Sequence, residues 1–101
     1  MDTDDLSIET YEAVITEAER FHHNLALHFG ALADDCKTED EYLAAAEKLV
    51  NKLRKAKPNF IREFLFGEVA DISTLPATLD KILANIARVR EIPEEKKTYE
   101  F

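Results

Sequence analysis

The sequence predicts an all-α fold, a small bundle of three main helices at about 8–35, 39–56 and 75–91 with a short helix at about 59–66. Three observations carry this reading. Only 2 Gly and 3 Pro occur among 101 residues, too few for the many turns of a sandwich or barrel. Apolar residues recur at helical spacing along most of the chain, and capping residues precede those stretches. With 46% hydrophobic and 34% charged residues, the chain reads as one domain able to bury a core.

The acidic stretch 1–7 is expected to be a flexible leader, 8–92 the single helical domain and 93–101 a C-terminal tail. In the first helix, Tyr11, Val14, Ile15, Ala18, Phe21, Leu25, Phe29, Leu32 and Cys36 follow one apolar stripe. Ser7 is the expected N-cap. Leu6 and Tyr11 have the spacing of a hydrophobic staple, and Glu9 suits the positive end of the helix dipole. The second helix opens on Thr38-Glu39-Asp40-Glu41, a capping-box pattern, and buries Tyr42, Leu43, Ala46, Leu49, Val50 and Leu53. It ends at Pro58, where the short helix Asn59 to Phe66 begins, with Gly67 as its stop. Ser73 or Thr74 caps the last helix, which carries Pro76 in its tolerated first turn and turns Leu75, Leu79, Ile82, Leu83, Ile86 and Val89 inward. Beyond Pro93, the tail is either frayed or anchored by the rings of Tyr99 and Phe101.

At 1.5 Å per residue the first helix would be roughly 42 Å long, far longer than its neighbours. A bend near Gly30, the short helix or a second copy of the chain must cover the excess. Ala26, Leu27, Gly30, Ala31 and Ala33 widen its apolar surface, so a homodimer is expected.

The net charge is −8, which opposes general attraction to nucleic acid or anionic membrane. Residues 1–40 hold 11 acidic and 2 basic residues, whereas 41–70 hold 4 and 6. Neither a secretory leader nor a membrane-spanning stretch is evident, and the protein is expected to be cytoplasmic, with no nucleic-acid or membrane partner. A single cysteine, Cys36, excludes an intramolecular disulfide and is expected to be a buried hydrophobe. Lys48, Lys52, Arg54, Lys55, Lys57 and Arg62 read as solvated helix surface, since Glu47 interrupts them and no aromatic residue interleaves the run from Lys48 to Lys57.

The histidines, His22, His23 and His28, all fall on the first helix. On a continuous helix His22 lies within the apolar stripe, His23 on the polar flank and His28 at the opposite border. Glu19-Arg20-Phe21-His22 has the Glu-x-x-His spacing of di-iron bundles, but such sites use two copies and two further inward carboxylates. Glu19, His22 and His23 are the candidate ligands if a divalent metal is bound. The competing reading makes His22 a packed core or interface residue and Glu19–His23 an ordinary surface pair.

No phosphate loop, nucleophile motif or acid–base pocket is legible, and neither a catalytic residue nor a cofactor is expected. The expected function is association, as a homodimer and as an adaptor or regulator of another protein. Candidate interface residues are Phe21, His22, Leu25 and Phe29 on the first helix, with Phe64 and Phe66 on the short one; the alternative is a metal- or small-ligand-binding bundle.

Overall fold

The computed structural model describes residues 1–69 and 71–99. Among them the fold is all-α, with no strand. Helix α1, Ile8–Tyr11, starts at Ser7, whose Oγ accepts the Thr10 N–H at 3.2 Å. The helix widens into a π turn at Glu12–Thr16 and continues as α2, Glu17–Phe21. There it stops. His22 is extended, with φ −167° and ψ 147°, and α3, His23–Ala31, starts at the next residue.

The expected continuous helix to Asp35 is therefore two helices, and the change of direction falls at His22 rather than Gly30. His22 serves both of them. Its N–H closes onto the Ala18 carbonyl at 3.1 Å, its carbonyl accepts from Leu25 and Ala26, and its ring Nδ1 accepts the Asn24 N–H at 3.1 Å. The imidazole thus satisfies a helix-start donor as a Ser or Asp cap would. From this break α3 folds back against α2 and the π turn, and a 3-10 turn at Leu32–Asp35 completes it. The folded-back half buries Leu25, Ala26, Phe29 and Ala33 within the same chain. The excess helix length that called for a second copy is absent.

Helix α4, Glu39–Lys55, opens with Thr38 Oγ1 accepting the Glu41 N–H at 3.2 Å. The Glu41 carboxylate reaches the N–H of Lys37, one residue beyond its capping-box target. Helix α5, Pro58–Phe64, carries Pro58 at its start, where a missing N–H costs no helix bond. Helix α6, Leu75–Arg90, packs against α1, the π turn, α2 and α4. Val14, Leu25, Phe29, Tyr42, Leu43 and Ile82 form the closed centre of the core. There the Tyr42 hydroxyl donates to the Phe29 carbonyl at 2.9 Å, and burial raises its pKa.

Both termini make specific contacts with the helical domain. Thr3–Asp5 forms a 3-10 turn, Leu6 and Ser7 are buried, and the Met1 ammonium donates to the Cys36 carbonyl at 2.7 Å. The expected flexible leader is thus packed onto the domain. After a 3-10 turn at Glu94–Lys96, the tail docks through its backbone: Ile8 N–H donates to the Thr98 carbonyl and Thr98 N–H to the Glu9 carboxylate. Lys97 adds an ion pair with Glu39. Tyr99 donates to Glu94 at 2.5 Å, and the anchoring role expected of Phe101 lies outside the described residues.

Candidate functional site

The candidate metal ligands do not converge. Glu19 and His23 form an exposed pair, Oε1 to Nδ1 at 3.2 Å. His22 is withdrawn from it because the helix ends at Phe21 and its Nδ1 lone pair is taken by Asn24. The one-face argument for Glu19 and His22 required an unbroken helix. Among the described residues no group of three or more His, Cys, Asp and Glu side chains is placed to hold a metal ion. Glu17, a buried carboxylate, has a structural use instead: it pairs with Arg20 at 2.8 Å and Lys81 at 3.1 Å, joining α2 to α6. Cys36 is buried, with its thiol against the Leu32 carbonyl, and burial followed by the charges of Glu41 and Asp35 raises its pKa, the opposite of an activated thiolate.

The candidate interface residues divide by burial. Leu25 and Phe29 are fully buried and belong to the core, where a partner cannot reach them in the folded chain. Phe21, His22 and Phe64 are half-buried. Phe66 is 61% exposed.

Around Phe66 the structure assembles four rings. The His28 ring stacks on Phe64 with centroids 3.6 Å apart and on Phe66 at 5.3 Å, and Phe60 extends the series at 6.1 Å from Phe64. All three interplanar angles lie between 17° and 22°, so the rings form a near-parallel ladder. A carbonyl can only accept, so the 2.5 Å contact from His28 to the Phe64 carbonyl fixes a proton on Nε2. The Lys52 ammonium caps the far end, 5.6 Å from the Phe60 centroid. Asn24 locks the segment beneath, donating to the Leu65 carbonyl and the Glu68 carboxylate, both at 3.0 Å.

The backbone at Phe66 is unusual. Helix α5 ends with the Phe66 N–H bonded to the Glu63 carbonyl and the Gly67 N–H to the Arg62 carbonyl, the bond pair of a Schellman ending. The left-handed residue of that motif is Phe66, at φ 62°, followed by Gly67 at φ 71°. Sequence reading placed the stop at Gly67. For a residue bearing a large side chain the left-handed region costs about 1–2 kcal/mol.

Phe60 and His28 were missed as site residues. Phe60 and Phe64 share a face at i, i+4, which the sequence could have shown. His28 meets Phe64 across 36 positions, and no local pattern carries that pairing. Comparison of the chain with protein families, with characterised proteins and with solved structures finds no match.

Proposed function

We propose that this is a small helical protein that works by association, through the surface formed by Phe60, Phe64, His28 and Phe66. The observation that carries the reading is Phe66. A glycine at this helix ending would relieve the left-handed strain, and the ring held there instead is mostly exposed. Its stack on His28 offsets only part of that cost, about 0.5–1.5 kcal/mol. A bulky apolar residue kept strained and exposed marks a surface used in binding. Self-association is the first form to measure, with an adaptor or regulator role toward another protein as its extension.

Sedimentation across the micromolar range tests it with Phe66→Gly beside the wild type. Self-association by the wild type and a monomeric variant of equal or greater thermal stability are expected. A monomeric wild type removes the homodimer form of the reading. A variant less stable than the wild type removes the whole reading, because the ring would then serve the fold.

A further inference from the structure

We infer that the partner of this surface is an acidic amphipathic peptide segment, carrying carboxylates beside an apolar stripe; the inference rests on reading the aromatic ladder as an association site. Two features of the surface select that chemistry. The first is the lysine stripe on α4. Lys48, Lys52 and Lys55 are exposed and, by helical spacing, fall within about 60° of one another. Among the described residues, the ion pairs use Arg20, Arg54, Lys81, Arg90, Lys97 and His23 as cations, and none of these three lysines. Lys52 joins the stripe to the ladder through its contact with Phe60.

The second feature is how the rings are presented. Phe64 and His28 cover each other's faces at 3.6 Å, and Lys52 lies over Phe60. Along the ladder a partner therefore meets ring edges, which carry the positive part of the aromatic quadrupole, with the Phe66 ring as the apolar end. Edges and ammonium groups both favour carboxylates, while the exposed Phe66 favours an aliphatic or aromatic side chain. Single-stranded nucleic acid fits less well, because bases bind by stacking on free ring faces.

The test uses two synthetic amphipathic helical peptides with the same Leu and Phe stripe, one flanked by Glu and its twin by Lys, together with an oligothymidylate. Binding to the full chain is followed by the NMR shifts of His28 and Phe66. The Glu peptide is expected to saturate these shifts at about tenfold lower concentration than the Lys twin, and to weaken as salt rises. Lys52→Glu should erase that preference, and Phe66→Gly should abolish saturable binding. Equal binding of the Lys twin, or tighter binding of the oligothymidylate, overturns the inference. If neither peptide binds but Phe66→Gly keeps wild-type stability, the acidic partner fails and the association surface stands. If neither binds and Phe66→Gly is destabilised, both fail.

Discussion

Glu39 and Lys97 meet at 2.7 Å across 58 positions of sequence, with side chains only 8% and 5% exposed. The pair joins the start of α4 to the tail, and the Ser7 N–H donates to the second Glu39 oxygen at 2.6 Å, so the start of α1 is tied to the same carboxylate. Burial alone would raise the pKa of Glu39, but the hydrogen bonds from Lys97 and Ser7 outweigh it and hold the carboxyl below its ordinary value. Burial likewise opposes the Lys97 charge, and Glu39 outweighs it, raising the ammonium pKa.

The sign of the pH dependence follows. A depressed Glu39 contributes stability above the ordinary carboxylate value of 4.5, lost as pH falls through its lower folded value. A raised Lys97 contributes below the ordinary 10.5, lost as pH rises through its higher folded value. Glu39→Gln should cost about 1–3 kcal/mol at neutral pH, because it leaves the Lys97 ammonium with a neutral amide and the exposed Glu94 carboxylate at 3.6 Å. It should also flatten the acid limb of stability against pH. Glu39→Gln with Lys97→Met should recover part of the loss. Urea unfolding at several pH values measures all three, and an unchanged acid limb in Glu39→Gln would show that other carboxylates control it.

At the break between α2 and α3, His22→Asn should keep the fold near wild-type stability, since an amide oxygen can accept the Asn24 N–H in place of Nδ1. His22→Ala loses the acceptor and should cost about 1 kcal/mol. Neither substitution strains the backbone, because φ −167° is open to any residue. Equal stability of the two variants by urea unfolding would mean that the ring does not act as a cap.

Asn85 is buried on α6, and its Nδ2 donates to the Ala13 carbonyl at 3.0 Å inside the π turn, while its Oδ1 accepts from Arg88. A π turn shifts the carbonyl register by one residue, and side chains often supply the displaced bonds. Asn85→Leu keeps the branched shape of the amide, with somewhat bulkier methyl groups, and leaves the Ala13 oxygen without this donor. The expected cost is about 1–3 kcal/mol, read from denaturant midpoints. Hydrogen exchange should quicken in 12–16 before it does in α4.

What the sequence made legible was local. Thr38 before an acidic turn, a clean apolar stripe and Lys55 near the end define α4 to within a residue, because capping and periodicity act over a few positions. The same logic failed at His22. Apolar spacing ran through it unbroken, since both halves of the hairpin bury one stripe, and nothing in Phe21-His22-His23 resembles a stop signal. The metal candidates fell with that continuity. The homodimer expectation lost its length argument in the same way, as α3 folds back to cover α2 within one chain. Phe64 and Phe66 were visible as a crowded aromatic run, whereas the ladder depends on His28, brought in by tertiary packing and fixed to the Phe64 carbonyl.

Phe66 allows strain and stacking to be separated with two substitutions. Phe66→Ala removes the ring but keeps a Cβ in the left-handed region, whereas Phe66→Gly removes both. The glycine variant should therefore be more stable than the alanine variant by about 1 kcal/mol. In a domain of this size that is a Tm difference of about 4–8 °C. Both variants lose the stack on His28, so the difference between them is free of it. The wild type should lie at or slightly below the glycine variant, since stacking of about 0.5–1.5 kcal/mol offsets only part of a strain of about 1–2 kcal/mol. Calorimetry of the three proteins gives the order. An alanine variant as stable as the glycine one would mean that the chain relaxes out of the φ 62° conformation once the ring is gone, and that ring contacts rather than the α5 ending hold Phe66 in that conformation.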